Sequence, residues 1–265
     1  MHAVILAGGK GVRLRPYTTA LPKPLVPLGD DDVIIDVILR QLAMQGFTSV
    51  TLAINHLGAL IKAYVGNGSR WGLTVDYAHE QIPLGTFGPL VQIRDQLPES
   101  FLVMNGDILT DLRFDRFLAE HVASAAPLTV ATYPAENKVE FGVLDIVDEH
   151  ICGFTEKPSM TYHVSMGVYA MSRSVLDDYE PGLPCGADQL ILDLLRRHDY
   201  PLSYPFCGLW RDIGRPGDYD EVNACFPELI SQLVPVLTEQ EEEPQEGRQG
   251  EDDRQRSELL PAVGA

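Results

Sequence analysis

Five consecutive apolar residues, Ala3-Val4-Ile5-Leu6-Ala7, run directly into Gly8-Gly9-Lys10-Gly11 near the start of the chain. A strand that is apolar at every position has no face for solvent, so it belongs inside a sheet that is covered on both sides. Glycines placed at once after it let the chain turn tightly and leave backbone N–H groups free to face a ligand. This junction asks for a layered α/β fold with a binding site at the carboxyl end of a central strand.

The rest of the chain keeps that alternation. From Val33 to Met44 apolar residues recur at helical spacing (Ile34, Val37, Ile38, Leu42), Gly46 ends the helix, and Val50 to Ile54 reads as the next strand. A helix near Leu57 to Tyr64, a strand near Leu73 to Tyr77, a helix after Gly85 and a strand at Phe101 to Met104 extend the series. The expected fold class is α/β: three layers, a Rossmann-like, mainly parallel or mixed sheet with helices on both faces. After Pro127 the strand-like runs crowd together, at Leu128 to Thr132, Gly142 to Val147, Ile151 to Thr155 and His163 to Met171. Helices return at Ala187 to Arg197 and from Asp218 to about Leu233, with a strand at Leu202 to Pro205 between them. No repeat of fixed period is visible, so no hexapeptide β-helix is expected after the domain.

Charge narrows the function classes. The 265 residues carry 20 Lys+Arg against 38 Asp+Glu, a net charge of −18, which repels nucleic acid and anionic membrane. No stretch approaches a membrane span, and Ala3 to Ala7 is too short for a secretory h-region, so a cytoplasmic protein is expected. Cys152, Cys185, Cys207 and Cys225 are far apart with no C-x-x-C pair and read as reduced thiols. From Glu239 onward seven Glu, two Asp and three Arg give −6, and the run from Glu239 to Glu258 has almost no apolar residue, so it cannot bury enough surface to offset its ordering entropy.

Against this acidity the first 29 residues hold Lys10, Arg13, Arg15 and Lys23 and no acidic residue. A basic segment at a strand's carboxyl end makes a positive funnel that attracts a polyanion. The loop is not a dinucleotide fingerprint, because Leu14 stands where the third glycine would be, and it lacks the Gly-Lys-Ser/Thr ending of a Walker A loop. Lys23 lies between Pro22 and Pro24, whose fixed φ stiffens the backbone and aims the ammonium.

The run from Leu6 to Leu28, LAGGKGVRLRPYTTALPKPLVPL, resembles the signature of the sugar-1-phosphate nucleotidylyltransferases, closest to the mannose- and heptose-1-phosphate guanylyltransferases. Pro83-Leu84-Gly85-Thr86, Asn105-Gly106-Asp107, Phe141-Gly142-Val143, Glu156-Lys157-Pro158 and Trp210-Arg211-Asp212-Ile213-Gly214 follow in the family's order, so the resemblance covers roughly residues 2 to 230. It implies that residues 1–236 are a catalytic domain; composition makes 237–265 an acidic tail, expected to be disordered. It also implies attack of a sugar 1-phosphate on the α-phosphorus of a nucleoside triphosphate, with release of pyrophosphate. The family's oligomers imply a homodimer or homotetramer.

Carried over residue by residue, the resemblance makes Arg13, Lys23 and Lys157 the catalytic cations. Leu6, Ala7, Gly8, Gly9, Gly11, Arg13, Glu80, Pro83, Gly85, Thr86 and Asp107 would bind the nucleotide, and Gly142, Glu156, Lys157 and Ser165 the sugar phosphate. Asp107 and Asp212 would hold Mg²⁺, an ion that takes one or two carboxylates together with phosphate oxygens and water. Two departures stand out: the family often has Asn where Ser165 stands and Tyr where Phe141 stands.

Glu80 bears on the base. In the family's thymidylyltransferases a glutamine at this place reads the pyrimidine edge, whereas a carboxylate only accepts hydrogen bonds. Guanine offers N1–H and its N2 amino group side by side, so GTP is the expected donor; dTTP, UTP or CTP, and a cyclitol phosphate acceptor, are the alternatives. A regulatory subunit with a degenerate domain is the rival from another class, but Arg13, Lys23, Asp107, Lys157 and Asp212 all stand.

Overall fold

The computed structural model describes residues 1–80 and 82–235, so the acidic tail expected over 237–265 lies outside the described residues. The centre is a seven-stranded sheet. From one edge to the other its strands are Leu202–Pro205, Leu128–Lys138, Ser159–Ser172, Ser100–Asn105, His2–Leu6, Ser49–Ile54 and Thr74–His79. Ser159–Ser172 is antiparallel to both of its neighbours, and every other pairing is parallel.

Strand periodicity sorts the core into two layers. Ala3 and Ile5 face one side with Val50, Leu52, Leu102 and Met104, and pack against Ile34, Ile35, Ile38 and Leu42 of the Ile34–Met44 helix. Val4, Phe101 and Val103 face the other side, against Phe87, Leu90, Leu176, Leu190 and Leu194. A strand apolar at every position therefore feeds two cores, the three-layer arrangement that its sequence demands.

From His2–Leu6 the chain moves outward through Ser49–Ile54 to Thr74–His79, then returns to place Ser100–Asn105 on the other flank of the first strand. That reversal leaves a crevice beside Leu6, where the loops after four parallel strands converge. Near it, Ile108–Thr110 pairs antiparallel with Trp210–Asp212, with Ile108 opposite Asp212.

Some expected elements change. The helix expected from Asp218 to Leu233 is two, Pro216–Ala224 and Phe226–Leu233, because Pro227 has no N–H to continue the first. Strands expected at Leu128 to Thr132 and His163 to Met171 run on to Lys138 and back to Ser159. Their extra halves are mostly exposed and pair with each other, forming an arm that also carries the hairpin Val143–Val147/His150–Thr155. Asp212 ends a short strand, Trp210–Asp212. All four cysteines are free thiols, and no helix among the described residues is long and apolar enough to cross a membrane.

Candidate active site

The glycine loop opens on a cavity of about 350 Å³ lined by Leu6, Ala7, Gly9, Gly11, Arg13, Lys23 and Asp107 among others. Gly11 adopts φ +60°, and a Cβ there would come within 2.9 Å of the Thr18 side chain, so no other residue fits this bend without displacement. Thr18 Oγ1 donates to the Gly11 carbonyl at 2.7 Å and holds the loop shut on that side. Arg13 sits on the short 3-10 turn Val12–Leu14, exposed, while its neighbour Leu14 is buried and anchors the turn.

Two aspartates from distant segments meet beside this loop. Asp107 follows the Ser100–Asn105 strand, and Ile213 N–H donates to the Asp107 carbonyl at 3.1 Å, tying it to the segment that carries Asp212. Lys23, buried in spite of its charge, pairs its ammonium with Asp107 Oδ2 and lies 4.0 Å from Asp212 Oδ1. The other Asp107 oxygen, Oδ1, is buried with no hydrogen-bond partner. Burial, and then the Asp107 charge, push the Asp212 carboxyl above its ordinary range, against the opposing pull of Lys23 and Arg13. An orphaned carboxylate oxygen beside a second carboxylate is a hard-oxygen donor set of the kind Mg²⁺ takes, so these residues fit the ion.

A second cavity, also about 350 Å³, adjoins the first and shares Leu6, Gly9 and Asp107 with it. Gly8, Glu80, Pro83, Gly85 and Thr86 line it. Glu80 leaves the end of the Thr74–His79 strand, is only 8% exposed, and accepts from Asn55 Nδ2 at 3.3 Å. Burial raises its carboxyl above the ordinary range; Asn55, the Leu84 backbone and His79 oppose this. Gly85 has φ +78°, and a Cβ would meet the Cys185 carbonyl oxygen at 2.9 Å.

The expected sugar-phosphate residues are less gathered. Gly142, Glu156 and Lys157 stand exposed on the arm. Gly142 and Glu156 are neighbours, since a Cβ on Gly142 would lie 3.3 Å from Glu156 Oε2. Lys157 has φ +44°, a left-handed backbone that costs a side-chain-bearing residue roughly 1–2 kcal/mol. Ser165 is not on the arm: its Oγ donates to Tyr169 Oη at 3.1 Å and accepts from Gly167 N–H at 3.2 Å, at the irregularity where the strand rejoins the sheet. Among the expected site residues, those of the nucleotide and metal sets line the two adjoining cavities or flank them, whereas those of the sugar set do not form one pocket.

Residues 2–228 match the family model described as nucleotidyl transferase. The chain belongs to the nucleotidyl transferase family. Within it, the mannose-1-phosphate guanylyltransferase catalytic subunit beta of Dictyostelium discoideum is 33% identical over 226 residues, covering 83% of this chain and 62% of that protein. The mannose-1-phosphate guanyltransferase of Schizosaccharomyces pombe is 32% identical over 228 residues, with the same coverage of 83% and 62%. The chain thus spans less than two thirds of the length of these relatives. The crystal structure of HddC from Yersinia pseudotuberculosis complexed with GMP-PN shares the fold, with a TM-score of 0.66 at 24% identity over 85% of this chain and 99% of that one.

Three supports of this candidate site escape motif reading. The backbone of Cys185 straps the loop from Leu84 to Gly88, accepting from Phe87 N–H at 2.8 Å and Gly88 N–H at 3.2 Å and donating to the Leu84 carbonyl at 2.8 Å. Asn55 positions Glu80 from the neighbouring strand end. Trp210 Nε1 donates to the Met166 carbonyl at 3.2 Å, fixing the segment that leads to Asp212. Only Asn55 had a sequence signal, as a polar residue ending an apolar strand.

Proposed function

We propose that this chain transfers a nucleotidyl group from a nucleoside triphosphate, GTP before the others, to a sugar 1-phosphate, with release of pyrophosphate. The observation that carries this reading is the meeting of Lys23, Asp107 and Asp212 at the mouth of the glycine loop, next to the Glu80 compartment. The glycine-loop N–H groups and Arg13 would hold the triphosphate, and Lys23 would reach its α-phosphate. Glu80 would accept from guanine N1–H and N2–H together. Lys157, with Gly142 and Glu156, would bring the acceptor in on the arm, and Ser165 would act from the sheet.

The acceptor phosphate, with a second pKa of about 6, is already largely dianionic at neutral pH and needs no general base. One of its oxygens bonds to the α-phosphorus while the bond from that phosphorus to the β-bridging oxygen breaks, the electron pair leaving with pyrophosphate. Lys23 and Arg13 offset the negative charge that two polyanions bring together, and the loop holds them in line. Asp107 and Asp212 would hold Mg²⁺, which supplies further positive charge to the phosphate oxygens when bound.

Because relatives are named for mannose 1-phosphate and guanylyl transfer, that acceptor and GTP are the first pair to try. The test follows pyrophosphate with Mg²⁺, each NTP and a panel of sugar and cyclitol 1-phosphates. GTP with a hexose 1-phosphate should lead, and no pyrophosphate from any pair would refute the reading. A homodimer or homotetramer is the proposed working form, and sedimentation as a monomer under assay conditions would exclude it.

A further inference from the structure

We infer that Lys23 is a resident counter-ion that keeps the Asp107–Asp212 pair closed to divalent metal until a triphosphate draws its ammonium away. The inference rests on the function proposed above for this site.

Lys23 has little freedom except in its side chain. Pro22 and Pro24 flank it, and its turn is closed by Leu25 N–H to the Pro22 carbonyl at 2.9 Å and Val26 N–H to the Lys23 carbonyl at 3.1 Å. The four-carbon stem alone can swing the ammonium. It lies against Asp107 Oδ2 with Asp212 Oδ1 at 4.0 Å, in the gap where a cation shared by both carboxylates belongs. Among the described residues no other lysine or arginine comes within 4.0 Å of either carboxylate. Asp107 Oδ1 keeps its buried lone pairs unused, so the lysine occupies the site without saturating it.

A divalent ion entering the free protein must displace that ammonium. Lys23 is buried against the two carboxylates, so displacing its ammonium takes a mostly buried charge from its partners. A bound triphosphate changes the balance, because Lys23 lines the same cavity as Gly9, Gly11 and Arg13 and would find phosphate oxygens there. The aspartates then become free for the metal without stranding the lysine. Metal and triphosphate therefore bind with positive coupling, and each raises the affinity for the other by the same factor.

The test titrates Mn²⁺ into nucleotide-free protein and counts free ion by electron paramagnetic resonance. Lys23→Met should bind one Mn²⁺ at least ~10-fold more tightly than wild type. Lys23→Arg, which keeps the charge, should behave as wild type, and Lys23→Met with Asp107→Asn should lose the gained site. Melting curves establish that each variant is folded, and Lys23→Gln replaces Lys23→Met if that variant is not. A folded Lys23→Met or Lys23→Gln that binds Mn²⁺ no more tightly than nucleotide-free wild type would overturn the inference. No substrate is present, so the result is separable from the proposed reaction: a gained site without turnover by the wild type refutes the reaction, and turnover by the wild type without a gained site refutes the counter-ion.

Discussion

Replacing Glu80 by glutamine tests base choice at a single atom. The side chain is 8% exposed and lines the cavity, and among the described residues its side-chain partner is Asn55 Nδ2 on Oε2 at 3.3 Å. A guanine edge would place N1–H and an N2 hydrogen on the two oxygens, each a charge-assisted bond worth about 1.5–3 kcal/mol. Glutamine keeps one acceptor, without charge, and turns an NH₂ toward a guanine donor. One bond is lost and the other weakened, about 3–4 kcal/mol in all, so kcat/KM for GTP should fall by roughly 10²–10³-fold. UTP and dTTP, whose N3–H sits between two carbonyl oxygens, should lose little or gain, because the amide presents a donor and an acceptor to that edge. The assay is kcat/KM for GTP, UTP, dTTP, CTP and ATP in wild type and variant, with pyrophosphate as readout. A pyrimidine triphosphate preferred by wild type, or a GTP preference unchanged by the substitution, would refute the assignment.

The same carboxyl sets a pH signature. Its raised pKa means that the native state holds the proton better than the unfolded chain, so this stabilising term is full below the ordinary value of 4.5 and is lost as pH rises through the native value. Glu80→Gln does not titrate, so its Tm should exceed that of wild type at pH 8 and the gap should close toward pH 4; a gap constant with pH is the contrary result. Asp107→Asn and Asp212→Asn should stay folded by circular dichroism yet lose ~10³-fold in kcat, about 4 kcal/mol, and near-normal turnover at saturating Mg²⁺ would remove that aspartate from the site. Lys157→Met should raise KM for the sugar phosphate while Lys23→Met lowers kcat, and equal effects of both on sugar-phosphate KM alone would undo the division. Cutting the chain after Leu237 should leave turnover and the melting transition unchanged, since Gln41 ties the last described helix into the core through the Leu233 carbonyl at 2.9 Å; a lost transition would show that the tail is structural.

Sequence alone determined the layered architecture and half of the candidate site. An apolar strand ending in glycines has one physical use, a buried strand whose end frees backbone N–H groups, and the structure places Leu6 to Gly11 there. Lys23 between two prolines and Asp107 after an apolar strand were legible for the same reason: local backbone stiffness and strand ends are written in neighbouring residues. The tertiary structure alone decided what crosses the chain. Asp212 reaches Asp107 because Trp210–Asp212 pairs with Ile108–Thr110, and the loop from Leu84 to Gly88 takes its shape from the backbone of Cys185, about a hundred residues away in each case. Such contacts run through main-chain N–H and C=O groups that nearly every residue carries, so they leave no mark in residue type or period. The extended halves of the two long strands, to Lys138 and back to Ser159, escaped notice for a related reason: they are mostly exposed, and without a buried face there is no alternation to read.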